Sequence, residues 1–163
     1  MIDYLDTSIF VPLLVVEPST PLCRRFWDDA DAVVSCRLLY VEAAAALAQA
    51  VRIGRLTGEE RRSAATLLDE LWDEFEVVEV DEFLVREAAD LAQCYALRGY
   101  DAVHCASAQQ LDDDDVVVAA GDRRLLTAWT ALSMSTLDTS QDSTEVVANS
   151  NTDETAASYD EYG

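Results

Sequence analysis

Short apolar runs and helical stripes alternate along most of the chain. Ile2 to Leu5 is a short, mainly apolar run ending at Asp6, the pattern of a strand whose C-terminal end delivers an acid. Thr7 or Ser8 is placed to cap a helix from Ile9 to about Val16. Pro18 and Pro21 break it, and Leu22 to about Asp29 begins another. Ala32 to Ser35 reads as a second strand. Arg37 to about Ile53 is rich in Ala and Leu and reads as a helix closed by Gly54. Thr57-Gly58-Glu59-Glu60 has the spacing of a capping box, opening a helix with Ala65, Leu68, Leu71 and Trp72 on one stripe. These two helices form an expected helical hairpin.

Glu76 to Val80 alternates as a strand, and Asp81 caps a helix carrying Leu84, Ala88, Leu91 and Tyr95 to about Leu97, with Gly99 as its expected end. A helix from about Asp101 to Leu111 follows, then a polar turn of four aspartates, Asp112 to Asp115. Val116 to Ala120 has the unbroken apolar character of a strand buried on both faces, and Asp122 comes directly after it. Arg123 to about Thr130 reads as a helix and Leu132 to Leu137 as a final edge strand. The alternation predicts a three-layer α/β/α domain around a central, mainly parallel sheet. In such sheets ligands bind beyond the C-terminal ends of the strands, where the sequence places Asp6 and Asp122.

Residues 138–163 differ in kind: Ser, Thr, Asp, Glu and Asn dominate, no Arg occurs, and periodicity is lost. They are expected to form an acidic, disordered tail after a domain spanning 1–137. The chain has 163 residues, half of them apolar, enough for one domain with a substantial core. No stretch is long and apolar enough to span a membrane and no basic leader opens the chain, which predicts a cytoplasmic protein.

Charge changes the picture most. Asp and Glu number 32 against 11 basic residues, and all 11 are Arg. With the tail's seven acids set aside, 25 acids face 11 arginines, a net of −14 in the domain alone. Such a surface opposes nucleic-acid binding at low ionic strength. It suits a halophilic, salt-rich cytoplasm, where screening shortens to about 3 Å at 1 M salt. The absence of lysine excludes a P-loop and argues against receiver domains and haloacid-dehalogenase-like phosphatases. Cys23, Cys36, Cys94 and Cys105 are widely spaced with only His104 to assist them, so they read as reduced packing residues rather than zinc ligands or a disulfide framework.

Two further acids stand out. Asp101 opens a helix, where it could serve as a cap or as a site residue. Glu42 sits among Val41, Ala43 and Ala44, which requires either an exposed face or a partner such as a cation shared with other carboxylates. The runs Leu5-Asp6-Thr7-Ser8-Ile9-Phe10, Ser35 through Tyr40-Val41-Glu42 to Ala46-Leu47, Arg98-Gly99-Tyr100-Asp101-Ala102-Val103-His104-Cys105-Ala106-Ser107-Ala108 and Asp122-Arg123-Arg124-Leu125 resemble, in order and spacing, the four acidic motifs of PIN domains. The likeness is greatest to VapC-type toxins and covers residues 1–137.

That resemblance implies Mg²⁺ or Mn²⁺ held by Asp6, Glu42, Asp101 and Asp122, and endonucleolytic cleavage of RNA. It also implies a cognate antitoxin and a homodimer. Hard divalent cations take oxygen ligands, so a carboxylate cluster without a His or Cys requirement suits them. The family often has Thr or Ser two residues before the fourth acid, where this chain has Ala120; Ser8 is a candidate polar support. Arg24, Arg25, Arg98, Arg123 and Arg124 are candidate substrate contacts, with Arg123 and Arg124 beside an acid of the site. His104 and the three tryptophans (Trp27, Trp72, Trp129) read as structural. A catalytically inactive PIN-like binding module and a small-ester phosphohydrolase are the competing expectations.

Overall fold

The computed structural model describes residues 1–111 and 115–140. Its elements are β1 (Ile2–Leu5), α1 (Thr7–Leu14), α2 (Thr20–Asp28), β2 (Ala32–Cys36), α3 (Leu38–Arg52), α4 (Gly58–Trp72), β3 (Phe75–Val78), α5 (Glu82–Tyr95), α6 (Gly99–Gln109), β4 (Val116–Ala120), α7 (Arg123–Ala131) and β5 (Ser135–Asp138). The five strands pair in the order β3-β2-β1-β4-β5, and every pairing is parallel. The expected mainly parallel sheet is therefore wholly parallel.

Side chains alternate across the strands, so consecutive residues feed opposite faces. Tyr4, Val116, Val118 and Ala120 pack with α5, α6 and α7, whereas Leu5, Val33, Phe75 and Ala119 pack with α1 to α4. These two apolar clusters fill the spaces between the sheet and its two helical layers, giving the α/β/α sandwich. Because β1 continues toward β2 on one side and abuts β4 on the other, the order of strands reverses between β1 and β4. A crevice at their C-terminal ends follows from that reversal.

Several boundaries differ from expectation for local reasons. Asp6, rather than Thr7 or Ser8, is the N-cap of α1, so the helix begins two residues earlier than the apolar pattern suggests. Pro12 lies inside this short helix and removes one ladder hydrogen bond. Pro21 sits in the first turn of α2, where a missing N–H costs nothing. The helix that Gly99 was expected to end stops at Tyr95, with Ala96 in the left-handed region at φ 53°, and Gly99 instead begins α6. β3 is Phe75–Val78 rather than Glu76–Val80.

β5 starts at Ser135 because Leu132 and Met134 are spent packing on the α5–α7 cluster, and it runs to Asp138. Thr139 is buried and its N–H donates to the Ala120 carbonyl at 3.2 Å, so the folded unit passes residue 137. Most of the expected tail, 141–163, and Asp112 to Asp114 of the aspartate turn lie outside the described residues. The capping box is formed as read: Glu60 N–H donates to Thr57 Oγ1 at 3.1 Å and Thr57 N–H to Glu60 Oε2 at 2.7 Å. No helix among the described residues is long and apolar enough to cross a membrane. All four cysteines carry free thiols; Cys23, Cys36 and Cys105 are buried and Cys94 is exposed.

Candidate active site

β1 ends directly in Asp6, and α1 begins at the next residue. Asp6 Oδ2 accepts the Ser8 N–H at 3.1 Å and the Ser8 hydroxyl at 2.6 Å. Asp122 does the same work after β4: its Oδ1 accepts the N–H groups of Arg124 at 2.7 Å and Leu125 at 3.2 Å, capping α7. Asp101 lies in the first turn of α6, whose N-cap, Arg98, makes no side-chain cap bond. Three acids thus sit at helix N-termini, where the helix dipole offsets part of the cost of gathering negative charge. Glu42 comes from α3, with Oε2 accepting the Thr7 hydroxyl at 2.9 Å and facing His104 Nε2 at 2.7 Å.

A common pattern runs through these acids. In Asp6, Glu42 and Asp122 one carboxylate oxygen is engaged by the protein, and the other, Asp6 Oδ1, Glu42 Oε1 or Asp122 Oδ2, accepts no hydrogen bond among the described residues. Burial raises the pKa of Asp101, and the charges of Asp122 and Asp6 raise it further, so these three acids feel one another. His104 Nε2 is 3.7 Å from Asp6 Oδ1, which ties Glu42 to the same group. Among the described residues no three His, Cys, Asp or Glu side chains stand close enough together to hold a metal ion as they are. The donor type nevertheless suits a hard divalent cation: Asp6, Asp101 and Asp122 are carboxylates that bear on one another electrostatically, and a cation would relieve that repulsion.

Ser8 is built into the same corner. Its hydroxyl donates to Asp6 and accepts the Gly121 N–H at 2.7 Å, so it links the first turn of α1 to the residue before Asp122. Ala120, where a hydroxyl was missing from the expected pattern, is fully buried in the α5–α7 cluster. Ser8 supplies the polar contact to the Gly121 backbone that follows it.

His104 is the residue whose surroundings differ most from the sequence reading. It is buried, with Nδ1 3.0 Å from the Tyr4 hydroxyl, the Cys36 thiol at 3.7 Å from Nδ1 and 3.9 Å from Nε2, and Glu42 closest of all. Burial alone would lower its pKa; Cys36, Glu42 and Asp6 outweigh that and hold it well above the ordinary value. Burial likewise works to raise the Glu42 pKa, and the bonds from His104 and Thr7 more than reverse it. Neither His104 nor Thr7 was singled out for the site from sequence. The available signal was the i, i+3 spacing of Asp101 and His104, which puts them on one face of α6.

Arg123 and Arg124 are exposed at the start of α7, and neither is paired with a carboxylate among the described residues. Arg123 borders two open clefts: one of about 540 Å³ between α7 and β5, with Thr127, Thr130 and Thr136, and one of about 200 Å³ with Tyr95 and Arg124. Arg98 is exposed and lowers the Asp101 pKa, against the larger raising effects. Arg24 and Arg25 are exposed on α2. Trp129 is wholly buried, and Trp27 and Trp72 pack in an aromatic cluster around Phe75, as core residues do.

The PIN domain family profile matches residues 4–128, which include all four acids. Ribonuclease VapC49 of Mycobacterium tuberculosis H37Rv is 44% identical over 124 residues, covering 76% of this chain and 86% of that protein; Ribonuclease VapC45 of the CDC 1551 strain matches equally. In solved structures the same fold recurs at lower identity. FitAcB from Neisseria gonorrhoeae superposes with a TM-score of 0.64 at 18% identity, covering 85% of this chain and 98% of that one. VapBC2 from Rickettsia felis, bound to a DNA fragment from its promoter, gives 0.58 at 10% identity over 85% and 98%. With its sheet order, its acids at the ends of β1 and β4 and a profile match across most of its length, the chain belongs to the PIN-domain family.

Proposed function

We propose that the chain is a metal-dependent endoribonuclease and the toxin of a type II toxin–antitoxin pair. The observation that carries this reading is the electrostatic coupling of Asp6, Asp101 and Asp122 beyond β1 and β4, with Glu42 joined to Asp6 through His104. Relatives named as VapC ribonucleases, at 44% identity, support RNA as the substrate. Asp6 and Asp101 are the principal ligands for Mg²⁺ or Mn²⁺, with Glu42 and Asp122 completing the site directly or through water. When bound, the cation supplies Lewis acidity at the scissile phosphate and acidifies water.

The chain's own residues do the remaining work. A carboxylate oxygen not held by the cation orients the attacking water and takes its proton as the new P–O bond forms and the P–O3′ bond breaks, and the 3′ oxygen leaves with a proton from solvent water. Arg123 and Arg124 hold neighbouring phosphates, since guanidinium groups match phosphate oxygens in a fork. Ser8 keeps Asp6 and the Asp122 loop in register.

The catalytic domain is residues 1–137 together with the short continuation through Thr139, and the acidic residues beyond it are an appendage. A cognate antitoxin is the assigned partner, supported by the likeness in fold to the VapBC and FitAB structures, and a second copy of the chain is assigned from the family resemblance alone. The site of action is the cytoplasm, and the lysine-free acidic surface fits work at high salt. The test is cleavage of structured RNA with Mn²⁺ at molar KCl. Turnover that disappears in Asp6→Asn and Asp101→Asn supports the reading. Equal turnover in wild type and both variants, or none in the wild type, overturns it. The latter result favours a binding module, the alternative that Ala120 suggests.

A further inference from the structure

Glu42 is the one acid of the four that comes from within a helix rather than from a helix N-terminus, and its side chain is 21% exposed. A glutamate in that position has three torsions to fix before it can serve as a ligand. Two groups fix it here, and both act on the same oxygen. The Thr7 hydroxyl donates to Oε2 at 2.9 Å and His104 Nε2 lies 2.7 Å from Oε2, while Oε1 has no partner among the described residues. An ionised carboxylate only accepts, so Nε2 carries the proton whichever charge state the ring adopts. The ring is held in turn from its other side by Tyr4, whose hydroxyl is 3.0 Å from Nδ1 and which is itself fully buried. The four residues come from β1, α1, α3 and α6, so the chain Tyr4–His104–Glu42–Thr7 spans the sheet and both helical layers.

We propose that His104 is a positioning residue: with Thr7 it pins Glu42 Oε2, leaving Oε1 as the single ligand oxygen, and Tyr4 sets the ring orientation that makes this possible. The inference rests on the metal-dependent reading given above and deepens it. A histidine present only to fill the core would need its shape but not its Nε2 donor. Here the donor is aimed at a candidate ligand, and its other nitrogen is anchored. Partners one step removed from a metal commonly change its affinity by about 10–100-fold when lost.

The experiment is calorimetric titration of the metal-free protein with Mn²⁺, without RNA, for wild type, His104→Leu, His104→Gln, Tyr4→Phe and Thr7→Val, with the metal-free melting temperature of each recorded. Leu fills the space without a donor, whereas the Gln amide can restore one. His104→Leu is expected to weaken Mn²⁺ binding at least about tenfold and His104→Gln to recover part of it. Tyr4→Phe and Thr7→Val should each weaken binding severalfold while remaining folded, which keeps the test decisive if the Leu variant does not fold. Equal losses in His104→Leu and His104→Gln, or wild-type affinity in Tyr4→Phe and Thr7→Val, overturn the proposal. A wild type that binds no Mn²⁺ also overturns it. A wild type that binds Mn²⁺ but cleaves no RNA sinks the nuclease reading while leaving the positioning role standing.

Discussion

The Ser8 hydroxyl accepts the Gly121 N–H at 2.7 Å, and through that one bond the segment after β1 is tied to the segment after β4. The same oxygen donates to Asp6 at 2.6 Å, so Ser8 sets the separation of the two acids that flank the topological switch. Ser8→Ala should leave the Gly121 N–H without its protein partner and free the Asp6 carboxylate to rotate. The expected cost is about 1–2 kcal/mol in stability, the usual range for a lost part-buried hydrogen bond. RNA cleavage should fall by at least about tenfold, as for other groups that orient metal ligands. Ser8→Thr should keep both. Denaturant unfolding and single-turnover kinetics measure the two effects separately.

Asp101 should show opposite signs in its two readouts. Burial and the charges of Asp122 and Asp6 disfavour its ionised form in the metal-free protein. Asp101→Asn removes that repulsion, so the metal-free variant should melt above wild type at neutral pH. The same change removes a ligand, so Mn²⁺ should no longer raise the melting temperature and cleavage should drop by more than about 100-fold, beyond the effect of an outer-shell partner. A variant that melts lower than wild type without metal would contradict the electrostatic account.

What could be read from the chain follows from which interactions are local. Asp6 and Asp122 were legible because an apolar run followed by an acid is a one-dimensional pattern, and parallel α/β topology gives it meaning. Asp101 and Glu42 needed the family resemblance, since a helix-opening acid and a lone glutamate in a helix have ordinary structural explanations. The role of His104 was hidden because its partner Glu42 is 62 residues away, and only the packing of α6 on β2 and β1 brings them together. The end of α5 was misplaced for a related reason. Ala96 takes a left-handed conformation that glycine adopts most readily, so the expected stop falls on Gly99 instead.

Arg123 and Arg124 bear on salt dependence. An acidic surface repels RNA at low ionic strength, while each Arg–phosphate contact is weakened by added salt, so the two effects oppose one another. Arg123→Gln should raise KM with little change in kcat and make the dependence of log affinity on log salt shallower by about one unit. The clefts beside Arg123 and Arg124 predict that the double variant loses more than either single one. Unchanged KM in the double variant would remove both residues from the substrate path.

Asp3 predicts a pH dependence of stability independent of catalysis. It is fully buried at the N-terminal half of β1, and neither carboxylate oxygen has a hydrogen-bond partner among the described residues. Burial pushes its pKa up to about 6, with the N-terminal ammonium working against the shift and Asp29 and Asp31 adding to it. An unfolded aspartate titrates near 3.9, so between about pH 4 and pH 6 the native state binds more protons than the unfolded one. The group's contribution is therefore full below the unfolded value and is lost as pH rises through about 6. Asp3→Asn keeps the shape and removes the charge. It should match wild type near pH 3.5 and exceed it at pH 7.5 by about 1–3 kcal/mol, the scale set by a two-unit displacement. Denaturant unfolding across that range checks both ends. A constant difference between the two proteins at all pH values would mean that Asp3 is not protonated in this window, and that its buried oxygens are satisfied in another way.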